Sequence, residues 1–395
     1  MTNPRHVAII GAGLGGLRTA EQLRTVGFDG VITLVGVERH PPYDRPPLSK
    51  QVLTGEWAPE RAVLRDADGL AELGVRTVTG LRAVALRGNT VYFADRTQLR
   101  ADALVIATGA RARRFPKQPS GVHSLRTLEQ AMTLRRALAD AGSLLVLGGG
   151  FIGAEVATAA RMRGVRVTVL ESMPVPCARA LGPAVGGLAA RLMTEHGVDL
   201  RLDAKVTRFV DSHTVELANG ERVGADVVLS AVGACPAVDW LHNDQVDTRG
   251  GLACDASGRV YGLPGVWAVG DVAAWADPVR GGHFRQEHWT AATDQAAAVA
   301  RDIVGAEPPP PALPYFWSDQ FGLKIQGLGR PDLGDTMAPL SGDGLDGGAI
   351  KGTTAGYFTG GKLVGVVGFG AAKWVARCRP LLTRGASRAE ALALT

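Results

Sequence analysis

Two glycine-rich turns in the chain have the spacing that a dinucleotide site requires. The second holds Gly148, Gly150 and Gly153 within LLVLGGGFIGAEVATAARMRGVRVTVLES, where an apolar run leads into the turn and an alanine-rich, helix-forming segment follows. Glycine at these positions permits backbone torsion angles that other residues rarely adopt, close approach of the chain to a pyrophosphate, and close packing of the helix on the strand. Because the helix N-terminus then faces the phosphates, the pattern predicts a nucleotide site.

A carboxylate ends each of two such units. The N-terminal segment repeats the pattern with Gly11, Gly13 and Gly16. The strands that end at Glu38 and Glu171 place an acid about 20 residues after the last glycine of each turn, the spacing of a carboxylate that bonds a ribose 2′-hydroxyl. Two units in one chain indicate two bound dinucleotides, and the simplest assignment of the two is a flavin dinucleotide and a nicotinamide dinucleotide.

Each unit is followed by hairpin-like stretches and then by a buried strand that ends at a glycine. The first closing strand is ALVIATGA, with Thr108 and Gly109, and the second is DVVLSAVGACP, with Gly233. A further strand, GVWAVGDVA, ends at Gly270 and Asp271. Asp271 is either an acceptor for a polyol hydroxyl or a helix N-cap. The repetition predicts two copies of one fold.

Proline-rich segments mark two irregular stretches. Residues 39–50, RHPPYDRPPLSK, contain four prolines, which predict a stiff loop without regular structure. Arg45 and Lys50 in this loop are cations suited to a flavin pyrophosphate or isoalloxazine edge, or simply to a solvated basic loop. Residues 307–317, EPPPPALPYFW, predict a connector to a C-terminal antiparallel sheet that a helical tail closes.

Composition and charge restrict the class of protein. With 395 residues, 46% hydrophobic and 21% charged, the chain is expected to form a globular protein of two or three domains. No apolar run reaches the ~18 residues of a membrane span, and the N-terminus has no signal-peptide pattern, so we expect a cytoplasmic protein without membrane association. The formal net charge is +5, but the arginines are dispersed without a nucleic-acid motif, which argues against nucleic acid as a partner. We expect no metal site.

Motifs along essentially the full length match one family. GAGLGG, PPYDRPPLSK, ATGAR, GGGFIGAE, AVGACP, AVGDVA, EHW and WSDQ together resemble the FAD-dependent, NADH-dependent ferredoxin reductases that serve oxygenases and cytochromes P450. The resemblance implies an α/β, two-dinucleotide-binding-domain flavoprotein of the glutathione-reductase-like type. It implies a Rossmann-type FAD domain at residues 1–112 and 240–312, a Rossmann-type NAD domain at 113–239, and a C-terminal α+β interface domain at 313–395.

The motifs and the resemblance together give the candidate cofactor-binding residues. These are Gly11, Gly13, Gly16, Glu38, Arg45, Lys50, Thr108, Gly109, Arg126, Gly148, Gly150, Ile152, Gly153, Glu155, Glu171, Gly233, Gly270, Asp271, Glu287, His288, Trp289 and Trp317. By resemblance, Glu287 matches the carboxylate that holds the nicotinamide carboxamide. Trp289 and Trp317 match positions close to the isoalloxazine, with core packing as the alternative role.

Glu155 and Lys50 are the candidate catalytic residues. Glu155 falls in the first turn of a helix whose N-terminus should receive a pyrophosphate, and a carboxylate aimed at that ligand would repel it. Its side chain must therefore point elsewhere. The resemblance supplies Lys50 as its partner, in an ion pair beside the flavin that could stabilise the electron density arriving with a hydride. The alternative is an unpaired acid that the helix dipole favours.

Glu171 predicts NADH rather than NADPH as the reductant. A carboxylate bonds a 2′-hydroxyl but repels a 2′-phosphate, and Ser172 and Met173 supply no arginine that could bind the phosphate. Arg179 could offset this effect if a loop carried it back. We expect a preference for NADH of about tenfold or more, which corresponds to ~1.4 kcal/mol.

The resemblance implies hydride transfer from NADH to FAD and then single-electron transfer to an acidic [2Fe–2S] ferredoxin, which associates transiently. The chain is expected to be a monomer or weak dimer. Basic residues of the last stretch fit such a docking face. They are Lys373, Arg377, Arg379, Arg384 and Arg388.

Several alternatives to this function stay open. They are a rubredoxin reductase or related NADH-dependent flavin disulfide reductase, a flavin monooxygenase, and an NADH-binding signalling flavoprotein resembling apoptosis-inducing factor. The four cysteines are far apart and form no Cys-x-x-Cys pair, which disfavours a disulfide reductase.

Overall fold

A computed structural model describes residues 4–241, 246 and 248–394, so the first three residues of the expected FAD domain lie outside the described residues. The chain divides into two compact units, each made of separate segments. Unit 1 consists of Met1–Asp44, Glu60–Arg111 and Ala234–Ala312. Unit 2 consists of Arg45–Pro59, Ala112–Gly233 and Leu313–Thr395.

Helices and strands alternate along both units. The helices among the described residues are α1 (Leu14–Thr25), α2 (Gln51–Thr54), α3 (Ala67–Glu72), α4 (Leu128–Ala137), α5 (Phe151–Met162), α6 (Ala178–Glu195), α7 (Trp289–Ile303), α8 (Ala372–Thr383) and α9 (Arg388–Leu392). The strands are β1 (His6–Ile10), β2 (Val31–Val35), β3 (Val75–Val78), β4 (Ala83–Arg87), β5 (Thr90–Phe93), β6 (Gln98–Arg100), β7 (Ala103–Ile106), β8 (Ala110–Ala112), β9 (Ser143–Leu147), β10 (Arg166–Leu170), β11 (Asp199–Arg201), β12 (Val206–Phe209), β13 (Thr214–Leu217), β14 (Arg222–Gly224), β15 (Val227–Ser230), β16 (Ala234–Pro236), β17 (Leu252–Cys254), β18 (Val266–Ala268), β19 (Ala273–Ala276), β20 (His283–Arg285), β21 (Tyr315–Gln320), β22 (Leu323–Gly329), β23 (Thr336–Ser341), β24 (Thr354–Thr359) and β25 (Lys362–Phe369).

Unit 1 is built on a sheet of parallel strands in the order β18-β7-β1-β2-β3. Its central strands are continuous apolar runs because both faces are covered: helices α1, α3 and α7 pack on one face, and strands including β4 and β5 pack on the other, so alternate residues of β1 enter different cores. The order places the carboxyl ends of β1, β7 and β18 side by side. Gly11, Gly109 and Gly270 follow those three ends, so the predicted glycines meet at one edge of the sheet.

Unit 2 contains three sheets. The parallel sheet has the order β11-β10-β9-β15, and a small antiparallel sheet has the order β12-β13-β14. At the carboxyl edge of the parallel sheet, Gly148 follows β9, Glu171 follows β10 and Gly233 lies beyond β15. The third sheet is antiparallel with the order β21-β22-β25-β24-β23, and α8 packs on β25. The predicted C-terminal antiparallel sheet and helical tail are confirmed.

Two details of the sequence prediction are wrong. The loop of residues 39–50 contains a 3₁₀ turn, Pro46–Ser49, which α2 follows at once. Prolines occupy the first positions of that turn, where their fixed φ suits a helix and a missing N–H is not needed. The strand before Glu38 ends at Val35 because the chain bends over residues 37–40. In the described part of the chain, the helices are too short or too polar to cross a membrane.

Candidate functional site

The glycine turn of unit 1 leaves open space at the N-terminus of α1. Gly11 has a φ of 121°, and a Cβ there would overlap the carbonyl oxygen of Ala107. A Cβ on Gly16 would likewise overlap the carbonyl oxygen of Gly11, whereas nothing described lies within 4 Å of the Cβ position of Gly13. Packing thus requires the outer glycines, while the middle one borders free space that fits the pyrophosphate of a dinucleotide.

The glycine turn of unit 2 has the same construction before α5. Gly148 has a φ of 104° and abuts the carbonyl of Ala231, and Gly153 abuts the carbonyl of Gly148. The Cβ position of Gly150 again has no described atom within 4 Å. Ile152, in the first turn of α5, is 43% exposed. The turn therefore offers open backbone beside an exposed apolar side chain, which fits a second dinucleotide.

Glu171 is anchored against the glycine turn of unit 2. The N–H of Gly149 donates to Oε2 at 2.7 Å, and the N–H of Met173 donates to Oε1 at 2.8 Å. Both oxygens are thus held by main-chain groups at the carboxyl edge of the parallel sheet. Arg179 is exposed near the start of α6. The carboxylate has the fixed position that selection between a 2′-hydroxyl and a 2′-phosphate requires.

The ion pair expected between Lys50 and Glu155 is present in unit 2. Lys50 Nζ lies 2.7 Å from Glu155 Oε2, and the two side chains are 12% and 4% exposed. Lys50 Nζ also donates to the carbonyl oxygen of Pro46 at 3.2 Å. The carboxylate therefore points away from the open glycine turn, as the argument from helix polarity predicts. The catalytic role of the pair stays a prediction.

Two serines that the sequence analysis did not single out complete the surroundings of this carboxylate. The hydroxyl of Ser49 donates to Glu155 Oε2, and the hydroxyl of Ser318 donates to Oε1 at 2.6 Å. Ser318 belongs to the WSDQ motif, in which alternate residues of β21 are buried. A polar residue on the buried face of an otherwise alternating strand was the signal that could have identified it.

Arg45 and Arg126 are brought together in unit 2, because the guanidinium of Arg45 donates to the carbonyl oxygen of Arg126. Trp317, in β21, stacks on Tyr315 with ring centroids 6.0 Å apart. Gly233, with a φ of 100°, has no described atom within 4 Å of its Cβ position. All three features belong to unit 2.

The remaining candidate residues lie in unit 1. Glu38 accepts a hydrogen bond from the hydroxyl of Tyr43, and Thr108 Oγ1 donates to the carbonyl oxygen of Ala237 at 2.9 Å. Asp271 lies inside a 3₁₀ turn, Gly270–Val272, whose N-cap is Val269, so it is not an N-cap itself. The alternative role of an N-cap is therefore wrong for this turn, and the role of a hydroxyl acceptor stays a prediction.

The EHW motif gathers charged and aromatic groups within unit 1. Glu287 pairs with Arg285. Burial lowers the pKa of His288, and the nearby charges of Asp271 and Glu287 oppose that shift. Trp289 Nε1 donates to Asp44 Oδ1 at 2.9 Å. The motif therefore lies near the Asp271 turn at the glycine-bearing edge of the unit 1 sheet.

The predicted residues thus divide between the two units. Unit 1 holds Gly11, Gly13, Gly16, Glu38, Thr108, Gly109, Gly270, Asp271, Glu287, His288 and Trp289. Unit 2 holds Arg45, Lys50, Arg126, Gly148, Gly150, Ile152, Gly153, Glu155, Glu171, Gly233 and Trp317.

The cysteines do not form a redox centre in the described part of the chain. All four are free thiols, and Cys177, Cys254 and Cys378 are buried. Burial, followed by the charges of Glu171 and Glu155, raises the pKa of Cys177 to about 12. Burial also raises the pKa of Cys254 to about 12. Such thiols stay protonated at neutral pH and are poor nucleophiles.

Comparison with known proteins agrees with this geometry. The family described as pyridine nucleotide-disulphide oxidoreductase matches residues 5–296, and the reductase C-terminal family matches residues 315–394. The chain is 41% identical, over 85% of its length and 85% of the relative's, to the ferredoxin reductase component of chlorobenzene dioxygenase from Cupriavidus sp. (strain PS12).

Solved structures show the same fold. Putidaredoxin reductase in its covalent complex with putidaredoxin matches with a TM-score of 0.90 and 29% identity, covering 96% of this chain and 93% of the other. A ferredoxin reductase for the CYP199A2 system from Rhodopseudomonas palustris matches with a TM-score of 0.91 and 29% identity, covering 98% and 97%. The predicted two-dinucleotide flavoprotein fold is confirmed. The chain belongs to the pyridine nucleotide-disulphide oxidoreductase family, as an FAD- and NAD(H)-dependent oxidoreductase with a reductase C-terminal domain.

Proposed function

We propose that the protein is an NADH-dependent reductase for an acidic [2Fe–2S] ferredoxin that serves a cytochrome P450 or an oxygenase. The balanced reaction consumes one NADH and two oxidised ferredoxins and yields NAD⁺, two reduced ferredoxins and one proton. The observation that carries the proposal is the ion pair of Lys50 with the buried Glu155 beside the second glycine turn. The names of the relatives at 41% and 29% identity support the choice of a ferredoxin as acceptor.

Bound FAD supplies the conversion of a two-electron hydride donor into one-electron deliveries. We assign its pyrophosphate to the turn of Gly11, Gly13 and Gly16, and its adenosine ribose to Glu38. NADH is assigned to the turn of unit 2. The FAD, NAD and interface domains keep their expected bounds of 1–112 with 240–312, 113–239 and 313–395. The remaining cofactor-binding residues keep the roles given above.

In this proposal, Lys50 holds a positive charge at a fixed position where electron density increases during hydride transfer. A preorganised charge stabilises a transition state because no dipoles have to reorganise as the charge develops. Glu155 fixes the ammonium group through a contact of 2.7 Å, and the limited exposure of both side chains keeps water from weakening the contact. The pair therefore positions and stabilises, without donating or accepting a proton.

The helical tail of unit 2 is our proposed docking surface for the ferredoxin. Lys373, Arg377 and Arg379 are exposed on α8, and Arg384 and Arg388 are exposed beyond it. Arg377 lies over the Trp374 ring at 4.6 Å and donates to the carbonyl oxygen of Leu394. Arg384 pairs with Glu390. A basic surface accelerates encounter with an acidic protein and weakens as salt increases.

Charge reversal at Arg377 and Arg379 tests this function. Arg377→Glu and Arg379→Glu should each slow ferredoxin reduction by about tenfold at low salt, while NADH-driven ferricyanide reduction stays unchanged. Arg166→Glu is the matched control, because it makes the same charge change at the exposed start of β10, at the opposite end of that strand from Glu171. Equal losses with both acceptors would contradict the docking surface.

The alternatives differ in their acceptor. A rubredoxin reductase would reduce rubredoxin faster than any [2Fe–2S] ferredoxin, and a signalling flavoprotein would show fast flavin reduction without a competent protein acceptor. The buried thiols disfavour a disulfide reductase. A cytoplasmic location and a monomer or weak dimer stay predictions.

A further inference from the structure

The Glu155 carboxylate has a partner that the proposed role of Lys50 does not explain. Lys50 Nζ and Ser49 Oγ both contact Oε2. Oε1 instead receives a hydrogen bond from Ser318 Oγ at 2.6 Å. The two carboxylate oxygens are therefore held from two different segments of unit 2, one before α2 and one in the C-terminal sheet.

Ser318 is held in one orientation by its own strand. Phe316, Ser318 and Gln320 alternate on the buried face of β21, and both polar residues are 0% exposed. Gln320 Nε2 donates to Ser318 Oγ at 3.0 Å. A serine hydroxyl has a single hydrogen, so a hydroxyl that accepts from Gln320 directs that hydrogen to Glu155. Ser318 therefore both accepts and donates one hydrogen bond.

Polar side chains at these buried positions are costly unless they are hydrogen-bonded. Most other buried side chains of this sheet are apolar, among them Ile325, Val367 and Phe369. An apolar residue at position 318 would suit the core but would leave Glu155 Oε1 without this donor. The polar residue at position 318 is thus explained by the carboxylate rather than by packing.

We propose that Ser318 is a positioning residue, which acts through Glu155 to fix the ammonium group of Lys50. This inference rests on the proposed role of the Lys50–Glu155 pair. With both oxygens held, the carboxylate cannot rotate about its last side-chain bond. Without Ser318, Oε1 lacks a donor, and the carboxylate can turn to share Lys50 and Ser49 between its two oxygens. The ammonium group then loses its single position, and preorganisation falls.

A double-mutant cycle between Ser318→Ala and Glu155→Gln tests the inference on the FAD-loaded protein. Ser318→Ala should lower the limiting rate of flavin reduction by NADH about tenfold, with the dissociation constant of NADH unchanged within about twofold. In the Glu155→Gln background, the same change should lower the rate by less than about twofold, because the group it acts through is already altered. Ser318→Thr keeps the hydroxyl and should retain most of the rate.

The control and the second readout separate positioning from general stability. Thr354 Oγ1 is buried in the same sheet and makes no hydrogen bond among the described residues, so Thr354→Val should leave the reduction rate unchanged. Urea denaturation of the four cycle proteins, followed by tryptophan fluorescence, measures the coupling of Ser318 with Glu155 without any turnover. We expect the two substitutions to be non-additive in this measurement also.

Two results would overturn the inference while leaving the proposed function intact. One is that Ser318→Ala lowers the rate by the same factor of about ten in the Glu155→Gln background as in the natural protein. The other is that the two substitutions have additive effects on the free energy of unfolding in urea. A wild-type rate of flavin reduction in Glu155→Gln alone would instead refute the proposed role of the ion pair, and with it the positioning role of Ser318. In that case the urea measurement would still report the coupling free energy of the Ser318–Glu155 hydrogen bond.

Discussion

The substitution Glu171→Gln should weaken the preference of this reductase for NADH over NADPH. Two main-chain N–H groups, of Gly149 and Met173, fix one carboxylate oxygen each at 2.7 and 2.8 Å. Glutamine has almost the same shape but carries no charge, and only one of its two terminal atoms can accept a hydrogen bond. The substitution therefore removes the repulsion of a 2′-phosphate and one of the two anchoring contacts.

The size of the effect follows from the charge at this position. Two unit charges 4 Å apart interact by about 4 kcal/mol at an effective dielectric constant near 20. Glu171 is only half-buried, so solvent and salt reduce this energy, and we take ~1.4–2 kcal/mol. That range corresponds to a preference of roughly 10- to 30-fold in kcat/KM for the natural protein. In Glu171→Gln the preference should fall to about twofold, mainly through a lower KM for NADPH.

The assay is steady-state ferricyanide reduction with each nucleotide, at low ionic strength, on the natural protein and two variants. Glu195→Gln is the matched control, because Glu195 is an exposed acid of the same unit that pairs with Arg191 at 3.3 Å. It should keep the natural preference. Equal kcat/KM for NADH and NADPH in the natural protein would contradict the role of Glu171 in selecting NADH, and so would an unchanged preference in Glu171→Gln.

Three further predictions concern the ion pair, the thiols and acid stability. Lys50→Met should slow flavin reduction by about 100-fold in stopped flow, which is the loss typical of a preorganised electrostatic group. A rate within about twofold of wild type would contradict the electrostatic role of Lys50. Cys177→Ala should retain NADH-driven ferricyanide reduction, and iodoacetamide should not modify Cys177 in the native protein, because burial raises the pKa of its thiol to about 12. Burial lowers the pKa of His123, so the unfolded chain takes up a proton near pH 6.5 that the folded protein does not yet bind. The contribution of neutral His123 to stability is complete above about pH 6.5 and is lost as the pH falls below that value. In a plot of the urea midpoint against pH, His123→Gln should therefore reduce the slope on the acid side. An unchanged slope would contradict this prediction.

The fold could be predicted to the level of its sheets because the signals are local. A glycine turn between a continuous apolar strand and a helix identifies a parallel sheet in both units, and the predicted glycines lie at the carboxyl edges of those sheets. The 3₁₀ turn at Pro46–Ser49 was missed because proline signals both a loop and the start of a helix.

The partners of Glu155 could be predicted only in part. The direction of the side chain followed from helix polarity, and the resemblance supplied Lys50. Ser49 and Ser318 lie 106 and 163 residues away from Glu155 in sequence, and pattern reasoning does not reach such pairs. The same holds for Asp271, whose place inside a 3₁₀ turn depends on backbone torsions rather than on residue type.

The proposed function requires that electrons pass from NADH through this protein to a [2Fe–2S] ferredoxin. The most direct measurement is stopped-flow mixing of the NADH-reduced protein with oxidised acidic [2Fe–2S] ferredoxins from aromatic-ring oxygenase and P450 systems, with rubredoxin as the comparison. We predict that at least one ferredoxin reoxidises the flavin faster than rubredoxin does, with two ferredoxins reduced per NADH and a rate that falls as salt increases. Fast flavin reduction followed by reoxidation by rubredoxin alone, or by none of these proteins, would contradict it.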